Sequence, residues 1–257
     1  MSGFFYAVGD FEVKGELVSV LTSDKVRLDG FHCSPDATSN QDIEIPIDGV
    51  VLVHGLSGNF YQSRLLKHFA KILLNFGTHT VLVNTRGHDY LNATPRMGRT
   101  TTFGAAVEIV GECQYDLEAW AQYLESHGCE SIMLLGHSLG AIKSLYAQAH
   151  LPHSKVSHIA AFSATKLSSD SLKSSSRGER FSHWLQQAKS LCDSGNDEQF
   201  LYVDFPFPTW MSARAYLAKY GDNNKYNWLS YMHKIEIPTL AAFGSIEMEE
   251  NPSFQVM

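Results

Sequence analysis

The 257-residue sequence is poor in the features that mark several whole classes of protein. It has four cysteines, Cys33, Cys113, Cys129 and Cys192, with no C-x-x-C pair and no histidine at zinc-ligand spacing. A disulfide framework or a structural zinc site is therefore not expected, and the four are taken as reduced thiols. There is no run of 18 apolar residues, and Met1 to Asp10 carry neither a basic n-region nor a sustained apolar h-region. No integral membrane segment is expected, and the expected location is the cytoplasm. Positive charge is also short, with 20 Lys and Arg against 27 Asp and Glu and a net charge of -7, which works against binding a phosphate backbone or an anionic membrane. Nucleic acid is not an expected partner. G-x-G-x-x-G, Walker and H-E-x-x-H patterns are missing too, so no metal or organic cofactor is implied.

What remains is an ordinary globular composition, 44% hydrophobic and 18% charged, in a chain sized for one core domain with an inserted subdomain. Glu16 to Thr22 and Val26 to Cys33 alternate like two strands around Ser23, Asp24 and Lys25, an opening hairpin, and Ser34 to Asp48 follows as a polar loop. Gly49 to Val53 is continuously apolar, as an interior parallel strand is. From Tyr61 to Phe76 the apolar residues Leu65, Phe69, Ile72, Leu73 and Phe76 recur at helical spacing, and Gly77 stands where a C-terminal cap belongs. His79 to Val83, a helix marked by Val110, Leu117, Trp120 and Leu124, Ser131 to Leu135, Leu139 to Ala149 and Val156 to Phe162 continue the alternation. Such alternation predicts an α/β fold with a mostly parallel, doubly wound sheet, whose ligands belong at the carboxyl ends of the strands. Between Ala164 and Tyr231 the pattern changes to polar and Ser-rich stretches with helix-like pieces over Phe181 to Cys192 and Met211 to Tyr220. Ile235 to Phe243 then resumes a strand pattern. The predicted organisation is a core over 1–163, a mainly helical cap over 164–231 and a core continuation over 232–257.

Gly136-His137-Ser138-Leu139-Gly140 follows an apolar run and precedes a helix-like stretch. A serine hydroxyl must stand clear of the backbone to attack a carbonyl, and a sharp strand-to-helix turn lifts it only where both neighbours nearly lack side chains. Ser138 is the candidate nucleophile. With this motif the chain resembles the α/β-hydrolase superfamily over nearly its whole length, and other segments support the likeness. Val51-Leu52-Val53-His54-Gly55-Leu56-Ser57-Gly58 is similar to the family's H-G-x-x-G loop, which implies an oxyanion hole from the backbone N–H of Leu56 and that of Leu139. His54 there is taken as a turn residue bonding its own loop. Asn84-Thr85-Arg86-Gly87-His88 resembles the family's D-x-R-G-H-G loop, with Asn84 in place of Asp and Asp89 in place of Gly, and Arg86, His88 and Asp116 are expected to be structural.

An activated serine also needs a base and a carboxylate that orients it, in the chain order Ser, acid, His. Gly244-Ser245-Ile246-Glu247 resembles the stretch that carries the family's acid, which makes Glu247 the candidate. The last histidine, His233, precedes Glu247, and the ten residues after Glu247 reach at most about 35 Å, too little for a further strand, loop and helix. The last strand and helix of the fold, with the catalytic His, are therefore expected to be absent from these 257 residues. His88, His183 and His233 are the substitutes the chain offers, and none is assigned as base. An exposed apolar sheet edge is expected in consequence, with marginal stability or an oligomer.

The resemblance implies a serine esterase, similar to monoacylglycerol-lipase-like enzymes, acting on a small-molecule ester through an acyl-enzyme; thioester, amide and carbon–carbon hydrolysis use the same parts. Phe205-Pro206-Phe207-Pro208-Thr209-Trp210-Met211 either lines an apolar substrate pocket or forms the cap's own core. The alternative from another class is a catalytically silent member that binds a small molecule or a partner.

Overall fold

The apolar runs become strands laid side by side. The computed structural model describes residues 4–7, 12–36 and 45–250. Strands β1 (Phe4–Ala7), β2 (Glu12–Leu21) and β3 (Arg27–Cys33) form an antiparallel meander. The β2–β3 turn closes through Thr22, whose Oγ1 accepts from Val26 N–H at 2.8 Å. Of the polar loop expected over Ser34 to Asp48, residues 37–44 lie outside the described residues. Strand β4 (Gly49–Val53) is buried throughout, and each of its valines and its leucine contributes about 1.5–3 kcal/mol by leaving water.

Helix α1 (Arg64–Asn75) starts at Ser63, whose hydroxyl accepts from Leu66 N–H, and ends at Gly77, at φ 79. The start is later than the apolar period suggests because the cap, not the period, sets the first turn. Next come β5 (His79–Val83), β6 (Asn92–Arg96) and β7 (Arg99–Phe103), the last two a hairpin where sequence reading saw only a loop. Its strands carry Asn, Pro and a run of Thr with no apolar alternation, so they gave no periodic signal. Helix α2 (Cys113–Ser126), β8 (Ile132–His137), α3 (Leu139–His150) and β9 (Val156–Phe162) follow where the alternation placed them.

The segment after β9 holds α4 (Ser169–Lys173), α5 (Gly178–Asp193), β10 (Phe200–Val203), β11 (Thr209–Ser212) and α6 (Ala213–Tyr220). It is not purely helical. The helix expected from Met211 begins only at Ala213, because Met211 and Ser212 finish β11 and the Ser212 hydroxyl caps the helix on Ala215 N–H. The segment has its own core, including Phe181, Leu185, Val203, Phe205, Met211 and Tyr216, and Trp228 Nε1 donates to Ala164 O at 3.2 Å where chain entry and exit meet. Strand β12 (Thr239–Ala242) and α7 (Ser245–Glu250) complete the described chain. The strand expected over Ile235 to Phe243 is thus shorter than its apolar pattern.

Among the described residues the main sheet has eight strands in the order β1-β2-β3-β5-β4-β8-β9-β12, antiparallel up to the β3–β5 pair and parallel from β5 to β12. The fold is therefore α/β, with a mostly parallel sheet between helices. β12 is the edge of the described sheet, and Leu240 on it is 57% exposed. All four cysteines are free thiols. Among the described residues no helix is long and apolar enough to cross a membrane.

Candidate active site

The parallel strands end level. Val83 pairs with Val53, Val53 with Gly136, Gly136 with Ala161 and Ala161 with Ala241, so the loops that follow leave the sheet together. Non-glycine residues with left-handed φ gather on this edge: Ser57 (φ 52) after β4, Asp89 (φ 54) after β5, Ser138 (φ 55) after β8 and Ser163 (φ 53) after β9. Each costs about 1–3 kcal/mol and persists only where its surroundings over-determine it.

Ser138, with ψ -121, lies outside even the left-handed helical well. Its N–H donates to Phe162 O at 2.8 Å, which ties the turn to β9. A Cβ at Gly136 would lie 2.3 Å from Gly140 O, and one at Gly140 would lie 2.3 Å from Val53 O and 2.5 Å from His54 O. The turn closes only because both motif glycines lack that atom. The position of a Gly55 Cβ is 3.3 Å from Ser138 Cβ, so the His54-Gly55 loop packs directly on the turn. Beside Ser138, neither Leu56 N–H nor Leu139 N–H has a hydrogen-bond partner among the described residues. Leu139 is the first residue of α3, where the helix leaves its N–H groups unsatisfied and its dipole favours negative charge.

His54 bonds its own loop. Its Nδ1 is 2.7 Å from Gly55 O, and its Nε2 accepts from Thr85 N–H at 3.2 Å. Burial above all, with Lys143 adding to it, lowers this imidazole to about 3, so the ring is neutral. Arg86 is buried as well, and its guanidinium reaches Asp116, Asp24 and Glu112 at 2.8–3.0 Å, joining the β2–β3 turn, α2 and the loop after β5. Burial opposes its charge, but Asp116 and Asp24 outweigh that and raise its proton affinity further. Where the family loop has Asp, Asn84 accepts from Phe60 N–H at 3.0 Å. Where it has Gly, Asp89 takes the left-handed φ that the position needs.

Residues 49–250 match the family model described as alpha/beta hydrolase fold. The chain belongs to this family. No curated protein matches the sequence. Similar solved structures include an esterase from Pyrococcus furiosus, at 15% identity and TM-score 0.55 over 91% of this chain and 74% of that one. The alpha/beta hydrolase GrgF from Penicillium sp. sh18 matches at 14% identity and TM-score 0.58, over 92% and 93%. A monoacylglycerol lipase from Paleococcus ferrophilus matches at 20% identity and TM-score 0.50, over 77% and 73%. At such identities the likeness is one of fold.

In this α/β-hydrolase Glu247 lies on α7, across the β9–β12 pair from the Ser138 turn. Its Oε2 accepts from Ser163 Oγ at 2.6 Å and from Gly244 N–H at 3.1 Å. Its charge reaches His137, where burial lowers the imidazole's proton affinity and Glu247 partly offsets the loss. The other histidines are elsewhere. His183 and His233 are exposed, and His88 Nδ1 bonds Asp89 Oδ2 at 2.9 Å. Among the described residues no group hydrogen-bonds the Ser138 hydroxyl. The aromatic stretch divides: Phe205 and Met211 enter the inserted segment's core, while Phe207 and Trp210 are exposed.

Sequence reading missed Ser163, Glu108 and Lys143. Ser163 gives no local signal, since only the β9–β12 pairing brings it to Glu247. Lys143 does give one, as the single charge in the otherwise apolar opening of α3, where a helix covering a sheet has no use for an ammonium.

Proposed function

We propose that the chain is a serine hydrolase of carboxylic esters. Ser138 Oγ attacks the carbonyl carbon as its proton passes to solvent, the carbonyl oxygen takes the negative charge between Leu56 N–H and Leu139 N–H, collapse of this adduct breaks the ester C–O bond and releases the alcohol with a proton from solvent, and water later cleaves the acyl-enzyme to the carboxylic acid and free Ser138. Glu247 is the orienting acid, held by Ser163 and Gly244. The observation that carries this reading is the strained Ser138 turn with two unpartnered N–H groups beside it. Strain at Ser138 with two open donors beside it has no use in packing a sheet. The monoacylglycerol lipase among the similar folds fits an apolar-leaning ester as substrate.

A second reading, a hydrolase-fold protein that binds without turnover, is favoured by one fact: no described residue takes a hydrogen bond from the Ser138 hydroxyl. Exposure to a fluorophosphonate, with Ser138→Ala beside the wild type, decides between them. Covalent labelling that requires Ser138, with release of p-nitrophenol from short acyl esters, is the expected result. A wild type that labels no faster than Ser138→Ala would leave the second reading standing.

A further inference from the structure

The two departures from the family's loop pattern, Asn84 for Asp and Asp89 for Gly, meet on one short piece of chain. Asn84 Oδ1 accepts from Phe60 N–H at 3.0 Å, and Asp89 N–H donates to Gly58 O at 3.0 Å. Asp89 adds its side chain. Its Oδ1 accepts from Asn59 Nδ2 at 2.7 Å and from Tyr61 OH at 3.4 Å, so Gly58, Asn59, Phe60 and Tyr61 are each held from the loop after β5. Asn59 is fully buried, and its own Oδ1 takes Gln62 N–H at 2.9 Å. Both ends of that amide are engaged. Gly58 follows Leu56 by two residues, and its N–H donates to Gly55 O at 3.1 Å. The Gly55 carbonyl shares a planar peptide with Leu56 N–H, so whatever fixes Gly58 aims that donor, together with His54 Nδ1, which holds the same carbonyl at 2.7 Å.

Asp89 is itself fixed from several directions. Its carbonyl accepts from Ala105 N–H at 3.0 Å, the next carbonyl, of Tyr90, accepts from Ala106 N–H at 3.1 Å, and Tyr90 OH lies 2.7 Å from Thr209 Oγ1 in β11. Asp89 Oδ2 meets His88 Nδ1 at 2.9 Å. Burial works against the carboxylate's charge, but the bonds from Asn59 and His88 outweigh it and hold the group below the usual carboxylate range. A left-handed φ by itself asks for none of these contacts. Glycine would meet the φ of 54 with less strain than aspartate does, but it offers Asn59 no acceptor.

We propose that Asp89 is a positioning residue that anchors the Leu56 oxyanion donor through Gly58 and Asn59. With the carboxylate in place, residues 58 and 59 are pinned to the loop after β5, and the Gly55–Leu56 peptide keeps its direction. Without it, the buried Asn59 amide has lost its acceptor, and the loop shifts to find another. The inference rests on the hydrolase reading for its catalytic meaning, but the anchoring is measurable without turnover.

The test compares Asp89→Gly with Asp89→Asn. Both residues accept a left-handed φ, but only asparagine returns an oxygen to Asn59 Nδ2. In Asp89→Gly the Gly58 amide, bonded to Gly55 O, is expected to exchange with solvent about tenfold faster than in the wild type, and in Asp89→Asn the rate is expected to return most of the way. On a p-nitrophenyl ester, kcat of Asp89→Gly falls about tenfold with KM nearly unchanged, less than the loss of about a hundredfold or more on deleting a donor, because the donor remains but is misaimed. Asp89→Asn recovers most of that loss. Wild-type Gly58 exchange in Asp89→Gly, or faster exchange only at Ala105 and Ala106, would overturn the proposal, since Asp89 would then serve its own loop alone. An Asp89→Asn no better than Asp89→Gly would overturn it too. Should Asp89→Gly fail to fold, Asn59→Ser removes the other half of the same bond, and unchanged Gly58 exchange there overturns the anchoring. A wild type without Ser138-dependent fluorophosphonate labelling removes the hydrolase reading, and Gly58 exchange then decides the anchoring by itself.

Discussion

Replacing Gly140 by alanine puts the geometry of the serine turn to a quantitative test. The added Cβ would sit 2.3 Å from Val53 O and 2.5 Å from His54 O, both backbone atoms. Ordinary contact needs about 3.5 Å, so α3 and the end of β4 must part by about 1 Å. Overfilled sites cost about 1–3 kcal/mol when side chains can yield; here only backbone can, which puts the expected loss at about 3 kcal/mol or somewhat above. That is a large part of the stability of an ordinary domain. Gly128→Ala is the control, because Gly128 has φ 88 with nothing within 4 Å of a new Cβ, and its expected loss from backbone strain alone is about 1 kcal/mol. Urea unfolding of the three proteins measures both losses. The same displacement carries His54 and Gly55 away from Ser138, so fluorophosphonate labelling of Gly140→Ala should slow while Gly128→Ala labels as the wild type does. If Gly140→Ala unfolds within about 1 kcal/mol of the wild type, the close approach is not what reserves that position for glycine.

Ser138→Gly should stabilise the fold by about 1 kcal/mol, since glycine accepts φ 55 and ψ -121 without strain, whereas Ser138→Ala should bring no gain. Equal melting temperatures for the two variants would show that the turn stores nothing. A third prediction concerns acid. His32 Nε2 lies 3.1 Å from His79 Nδ1 and its Nδ1 lies 3.0 Å from Tyr123 OH, and burial, then His79 and His127, lowers its imidazole to about 4. The folded value is below the unfolded one, so the fold binds this proton less well: the stabilisation is intact above about pH 6.5 and is lost as pH falls toward 4. Allowing for solvent screening, the change is about 2 kcal/mol. In His32→Gln the urea midpoint should depend less on pH across that window, and an unchanged slope would assign the acid sensitivity to other groups.

How much of this was legible beforehand depended on whether the cause was local. Gly49 to Val53 and Val156 to Phe162 were readable as strands because burial on both faces demands continuous apolar side chains, and α1 was readable from its period and Gly77. The β6–β7 hairpin was not, since its residues have no periodic pattern and its strands pair with each other, apart from one bridge from Arg96 to Val26. The helix over Met211 and Ser212 was misread because two residues of a short strand fit the same apolar spacing as the helix that follows them. At the candidate site, Gly136, Ser138 and Gly140 announced a turn that only glycine neighbours permit. Nothing local announced Ser163, which lies 84 residues before Glu247 and meets it only through the β9–β12 pair.

The sequence by itself determined the alternation that makes a parallel sheet, the serine turn and the loop that faces it, because each is written in short-range spacing and in the sterics of glycine. Tertiary structure alone decided which charges share a buried site. Glu108 and Lys143 come from a loop and a core helix, and burial leaves them no water to replace the partner each finds in the other.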